Sequence, residues 1–409
     1  MLELTAVETL AFAAVALFFG YVLRRAAPPL AWYNVPAPVV GGLAVAAASL
    51  LARQGEVELV RLDVTLREPL MIAFFTAIGF GASFGLLAKG GPQVLLFLAL
   101  SGAAAVLQNV LGMALALLMG QPVLFGVLCG SVPFAGGPAT GLAFAPQFEE
   151  AGIPGASAIA VAAAMSGIVT AGLLGGPVGT LLIERHRRRP PPATPSRTPD
   201  TAAEVVESQL PAPVERVPKG EDVAAFVLLK SVGLILVAMW VGSWVSAAIT
   251  AVGVTLPAYI GAMVVAAIMR NLDDATGWLG LSQRDLDELG NVALSFFLVL
   301  SLMTLELWRL AAVAAPLVVI LIAQAGLAAA FCRWPLFGAM GRDYEAAVMA
   351  GGFYGFMMGT TANAMANMDA LVRRYGAAPR AFLVVPMVGA FFIDFINAFL
   401  IQTCLNLLS

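Results

Sequence analysis

Apolar runs of about 20 residues, cut by short polar or glycine-rich breaks, recur from one end of the chain to the other. A run of that length spans a bilayer as a helix, because the helix satisfies its own backbone polar groups where water is absent. The first half gives candidate spans at 5–23, 36–51, 69–87, 94–119, 123–148 and 159–183, and the second at 224–247, 256–269, 291–308, 311–331, 346–367 and 381–405. Several are short, which points to tilt or burial. Of the 409 residues, 60% are hydrophobic and 11% charged, and the mean hydropathy is +0.90. The expected fold class is therefore an all-α polytopic membrane protein embedded in the lipid bilayer, and a soluble enzyme is excluded.

Two of these segments break the rule that a lipid-facing helix avoids glycine and polar side chains. The later one reads Gly351-Gly-Phe-Tyr-Gly-Phe-Met-Met-Gly-Thr-Thr-Ala-Asn-Ala-Met-Ala-Asn-Met-Asp369, with Gly359, Thr360, Thr361, Asn363 and Asn367 between two apolar stretches. The earlier one reads Gly130-Ser-Val-Pro-Phe-Ala-Gly-Gly-Pro-Ala-Thr-Gly141 and runs into Phe148-Glu149-Glu150. Gly130 precedes Gly352 by 222 positions, and Gly137 precedes Gly359 by the same 222. Irregular backbone at membrane depth is tolerated where protein buries it or where it lines a cavity. Matched broken segments in two halves are the sequence pointer to a secondary transporter's binding site. A further match, Gly41-Gly-Leu-Ala-Val-Ala-Ala with Gly261-Ala-Met-Val-Val-Ala-Ala, lies at a spacing of 220.

Charge placement sets the expected topology. If both broken segments are re-entrant, each half crosses the membrane five times. Arg24, Arg25, Lys89 and Arg185 to Arg189 then share a face with Arg270, Arg333, Arg342, Arg373, Arg374 and Arg380, while the opposite face receives Arg53, Arg61, Arg67 and Arg309. That bias puts both termini outside. It gives a first five-helix repeat at 1–185 with its re-entrant segment at 123–148. A cytoplasmic flexible linker follows at 186–222, then a second, inverted repeat at 223–409 with its re-entrant segment at 346–367. The linker joins Arg185-His-Arg-Arg-Arg189 to a proline-rich polar stretch that cannot build a core. No basic residues precede the first run, which Glu3 and Glu8 open, so it reads as a retained span.

Several chemistries lack their parts. The single histidine, His186, stands outside the spans, and Cys129, Cys332 and Cys404 are scattered in apolar surroundings, where they read as small buried hydrophobes. Neither a zinc site nor Ser–His hydrolysis is expected, nor an organic cofactor, nor a nucleic-acid partner. The candidate binding residues are those a carrier of small anions needs. Helix breaks at Gly136-Gly137-Pro138 and Met358-Gly359-Thr360 would present unpaired backbone N–H groups and positive dipole ends to a carboxylate. Ser131, Thr140, Thr360, Thr361 and Asn363 would orient it, unless these small residues serve close helix packing. Gln108, Asn109 and Gln324, each at mid-span, either touch the substrate or lock helices together. Asp394, a carboxylate within a span, heads a candidate sodium site with Asn397, Asn367 and Thr361.

With these motifs in place, the chain resembles the bacterial sodium/glutamate symporters. Gly130-Ser-Val-Pro-Phe-Ala-Gly-Gly-Pro-Ala-Thr-Gly141, Gln108-Asn109 and Ala381-Phe-Leu-Val-Val-Pro-Met-Val-Gly-Ala-Phe-Phe-Ile-Asp-Phe-Ile-Asn-Ala398 carry the likeness, which extends over nearly the whole chain. It implies sodium-driven uptake of glutamate across the inner membrane, with Na⁺ as the co-transported ion, two inverted five-span repeats and a homodimer. Two departures fall where substrate would bind. The family's Ser-Gly-Gly-His-Gly-Thr-Gly is Ala135-Gly-Gly-Pro-Ala-Thr-Gly141 here, and its Gly-Ala-Thr-Pro-Thr-Ala is Gly359-Thr-Thr-Ala-Asn-Ala364. A sodium-coupled carrier of another amino acid or dicarboxylate is the alternative within the same class, and a channel the alternative outside it.

Overall fold

A computed structural model describes residues 2–54, 60–89, 91–186, 223–251 and 256–408. Of the expected linker at 186–222 only His186 is described, where its N–H caps the preceding helix by bonding the Leu182 carbonyl at 3.3 Å; 187–222 lie outside the described residues. The described residues are almost wholly helical. In the first half α1 spans Ala6–Ala26, α2 Pro28–Trp32, α3 Ala37–Gln54, α4 Arg67–Gly81, α5 Phe84–Lys89 and α6 Gly91–Leu118. The first broken segment follows as α7 Val123–Leu128, α8 Ser131–Phe134 and α9 Gly137–Glu150, and α10 Ala156–Arg185 ends the half.

The second half opens with α11 Val223–Thr250, α12 Ala258–Thr276 and α13 Gln283–Met303, followed by α14 Ala314–Phe331 and the short α15 Phe337–Ala339. The other broken segment is α16 Tyr344–Met358 and α17 Thr361–Tyr375, and α18 Pro379–Met387 and α19 Ile393–Leu408 close the chain. Six helices among the described residues are long and apolar enough to cross a membrane. The exception to helix is one parallel pair of three-residue strands, β1 Leu2–Leu4 and β2 Val60–Leu62, which puts the starts of α1 and α4 at the same end of the molecule.

The two halves keep the same order of elements. The starts of α12, α14, α17 and α18 lie 221, 223, 224 and 223 positions after those of α3, α6, α9 and α10. One helix crossing is repeated as well. A Cβ placed on Gly20 of α1 would stand 2.7 Å from the Gly41 amide of α3, and one on Gly261 of α12 would stand 2.4 Å from the Gly242 carbonyl of α11. Without a hydrophobic force between helices in lipid, such small residues let backbones approach closely. The Gly41 and Gly261 motifs matched in the sequence thus both lie at close glycine-to-glycine helix contacts.

Packing divides the molecule into two bundles. Helices α1, α3, α4, α11, α12 and α13 pack on one another, and α6 to α10 pack with α14 to α19. The second bundle holds both broken segments and most of the largest core cluster. Tyr259 of α12, fully buried, joins the two: its hydroxyl accepts from Gln147 of α9 at 3.3 Å, and its ring meets Phe144 of α9 and Phe75 of α4.

Three spans differ from expectation in detail. The run at 69–87 is two helices, parted at Ala82-Ser83, where Asn271 donates to the Ala82 carbonyl and accepts from the Phe84 amide. The run at 291–308 begins eight residues earlier, at Gln283, because Ser282 caps it and Asp285 stands in its first turn, and its last residues leave the helix as a turn and a 3₁₀ segment from Leu307. The run at 381–405 is interrupted by a π-helical turn at Val388–Phe392, just after Pro386, whose missing N–H and ring disturb the ladder.

Candidate functional site

Both broken segments turn at glycines, and the second folds back on itself. In the second, a Cβ on Gly355 would lie 2.6 Å from Ala364, one on Gly352 2.7 Å from Met368, and one on Gly351 2.8 Å from Leu371. This descending register makes α16 and α17 antiparallel, with their turn at Met358-Gly359-Thr360. Thr360 caps α17: its hydroxyl accepts from the Asn363 amide and donates to Asn363 Oδ1 at 2.8 Å. In the first segment the turn lies at Gly136-Gly137, with Gly137 in the left-handed region at φ +69°, a conformation that glycine adopts without a Cβ penalty. Pro138 follows in the first turn of α9, where a missing N–H costs nothing because that turn has no intrahelical acceptor.

The two turns meet. A Cβ on Gly137 would have the Gly359 carbonyl oxygen, 3.8 Å away, as its nearest contact. Helices α9 and α17, of 14 and 15 residues, therefore start at one place, and their positive ends with unpaired N–H groups converge there. Helix α10 carries both turns. Its Gly167 touches Phe134 and the Met358 carbonyl, Gly175 touches Asn367, and Gly179 touches Leu371. Asn363 and Asn367, one turn apart on α17, donate to the Ile168 and Ala171 carbonyls of α10 at 3.2 and 3.1 Å. Asn367 also reaches the Gly351 carbonyl at 3.4 Å, so both amides fasten the second hairpin to its support.

The mid-span amides lock helices together with one end of each side chain. Gln108 donates from Nε2 to the Met357 carbonyl at 2.9 Å, and Gln324 donates to the Gln108 carbonyl at 2.7 Å. Asn109 accepts from the Ser131 amide at 2.8 Å, and Asn397 donates to the Ser131 carbonyl at 3.0 Å. A backbone partner fixes the orientation of each amide, since a carbonyl needs a donor and an N–H an acceptor. Each residue then keeps one buried polar atom without a partner among the described residues: Gln108 Oε1, Gln324 Oε1, Asn397 Oδ1, Asn109 Nδ2 and the Ser131 hydroxyl. Leaving such a group unpaired in the interior costs about 1–3 kcal/mol. Helix locking uses one end of each amide and offers nothing for the other.

The remaining candidates are more dispersed. Thr140 is buried beside Gly136, and the Thr361 hydroxyl donates to the Gly389 carbonyl of the π turn at 2.6 Å. Asp394 is half-buried and makes no hydrogen bond or ion pair among the described residues. Of the residues grouped with it for sodium, Asn397 lies against Ser131, Asn367 against α10 and Thr361 against Gly389, so the hydrogen bonds tie the three to separate neighbours. Among the described residues no cluster of three His, Cys, Asp or Glu side chains could hold a metal. Gly167 and Tyr259, which place the turns and join the bundles, are not among the sequence candidates. An aromatic in an apolar run and a glycine in a Gly/Ala-rich helix give no signal of their own.

The sequence has relatives among known proteins. A family model described as sodium/glutamate symporter matches residues 2–377. The sodium/glutamate symporter of Escherichia coli (strain K12) is 38% identical over 411 positions, covering 100% of this chain and 99% of the relative. That of Haemophilus influenzae is 35% identical over 396 positions, covering 97% and 96%.

Proposed function

This chain belongs to the sodium/glutamate symporter family, and on that premise we propose that it imports glutamate together with sodium, binding both where its two helical turns meet. The observation that carries this reading is the set of five buried polar groups, each with one atom unpaired, around two converging helix N-termini. The positive helix ends suit a carboxylate, and three free amide oxygens with a hydroxyl are hard donors of the kind that coordinate Na⁺ at broken helices. Asp394, an intramembrane carboxylate with no protein partner among the described residues, supplies charge for the cation. Sodium bound first orders the site for glutamate, and by linkage glutamate tightens sodium by the same factor.

The topology belongs to the same proposal. Two five-span repeats of opposite orientation bring one re-entrant hairpin from each side of the inner membrane, with the termini periplasmic and the linker cytoplasmic. Its support is the Lys and Arg bias, together with contacts that each join groups assigned to one face: Glu3 to Arg61 outside, and Ser83 to Asp274, Lys230 to Gly280 and Arg374 to Glu184 inside. The bundle carrying the hairpins moves against the other during alternating access. A homodimer is part of the reading; large apolar side chains such as Phe18 of α1 and Trp240 and Trp244 of α11 face outward, to be covered by lipid or by a second copy.

Purified protein in liposomes, given an inward sodium gradient and a panel of labelled amino acids and dicarboxylates, tests the substrate. Concentrative uptake of glutamate above the other compounds is expected. Preference for a different member would move the assignment to a related carrier, and currents without accumulation would indicate a channel.

A further inference from the structure

A cavity of about 210 Å³ opens between the two bundles, away from the meeting point of the turns. From the hairpin bundle it is lined by Leu142, Pro146 and Glu149 of α9 and by the start of α10, and from the other bundle by Arg67 at the start of α4 and by Ser301, Thr304 and Glu306 around the end of α13. That volume has room for one small amino acid. Three observations mark it as more than a packing gap. Arg67 is half-exposed, and its guanidinium makes no hydrogen bond or ion pair among the described residues. Ser301 is 5% exposed and its hydroxyl has no partner. The two carboxylates are differently engaged, Glu306 by Arg309 and Glu149 by Ser157 at 3.4 Å.

The cavity lies on the path a substrate would take. Leu142 stands five residues beyond Gly137, about 7.5 Å along α9 at 1.5 Å per residue. Ala158 stands nine residues before Gly167, about 14 Å along α10 on the same rise. Its exposed rim, Glu149 and Thr304, is at the end of the molecule that holds the β1–β2 pair, the end read as external.

Resting on the proposed transport function, we propose that this cavity is an external waiting site for an acidic amino acid, which Arg67 captures by a carboxylate before it passes down to the turns. Arginine presents a planar fork that grips a carboxylate with two parallel hydrogen bonds. Glu149 and Glu306 give the ammonium group a partner, and the free Ser301 hydroxyl takes a remaining carboxylate oxygen. Because the walls come from both bundles, a relative movement of the bundles changes the cavity, which suits a site occupied only before the hairpins carry their load inward.

The test uses full-length protein in liposomes with uptake started from the external face. Arg67→Gln is expected to raise the KM for external glutamate about tenfold at unchanged maximal rate per inserted molecule, and Arg67→Lys to restore part of it. In the wild type that KM should rise with ionic strength, because a capture charge is screened, and in Arg67→Gln it should be flat. Should Arg67→Gln insert poorly, Thr304→Cys serves instead: external glutamate is expected to slow its modification by an impermeant maleimide at least threefold, with glutamine much less effective. A wild-type KM and salt dependence in Arg67→Gln, or unprotected labelling at position 304, overturns the waiting site. Failure of the wild type to accumulate glutamate would overturn the transport reading instead, so the two failures are distinct.

Discussion

The Ser131 hydroxyl is buried with no partner among the described residues, while the amide and carbonyl of the same residue are held by Asn109 and Asn397. Ser131→Ala therefore removes an atom with no structural partner. We expect insertion and melting temperature within experimental error of wild type, with glutamate or sodium affinity weakened several-fold; about 1.4 kcal/mol would be tenfold. Uptake titrations in both ligands, normalised to inserted protein, check this. Asn109→Leu is expected to behave differently, because it also strands the Ser131 amide and costs about 1–3 kcal/mol of stability. Asp394→Asn keeps shape and removes charge, so it should raise the sodium concentration for half-maximal uptake while expression holds; an unchanged sodium curve would remove Asp394 from the site. The residue types were legible in the sequence, since polar groups in apolar spans stand out. Which end of each amide is spent on the backbone was not legible, because for most of them that depends on partners more than 190 positions away, as in Asn363 with Ile168.

At the scale of the element, α10 acts as the strut on which the second hairpin is laid. Its glycines show how close the approach is: a Cβ on Gly175 would stand 1.9 Å from Asn367 Nδ2, whereas one on Gly176 would meet nothing within 4 Å. Gly175→Val should therefore cost about 1–3 kcal/mol by overpacking and displace the turn at Gly359. Gly176→Ala should be neutral or raise stability by up to about 1 kcal/mol. Thermal unfolding in detergent, read beside uptake, separates the pair. The helices themselves were largely legible from apolar runs, and the repeat of their order from the spacing of Gly137 and Gly359. Helix ends were not, where packing or caps decide them. The break at Ala82-Ser83 depends on Asn271, and the early start of α13 on Ser282 ahead of an amphipathic rather than a wholly apolar first turn. The β1–β2 pair was also out of reach, its strands being three residues each.

For the molecule as a whole, the division into two bundles predicts that they slide as units. Gln147 and Tyr259 touch across the boundary, so cysteines at these positions, bridged by Hg²⁺ or a short bifunctional maleimide, should arrest uptake; a dithiol should reverse the mercury bridge. Full uptake with the bridge in place would mean that this boundary stays fixed. If sodium and glutamate share one site where the two turns meet, their binding must be reciprocal. Glutamate affinity of the purified wild type should be measured by calorimetry at low and high sodium, and sodium affinity with and without glutamate. Each ligand should tighten the other by the same factor, and Ser131→Ala should weaken binding without unfolding the protein. A glutamate affinity that does not change with sodium, or binding unaltered by loss of the Ser131 hydroxyl, would contradict the shared site.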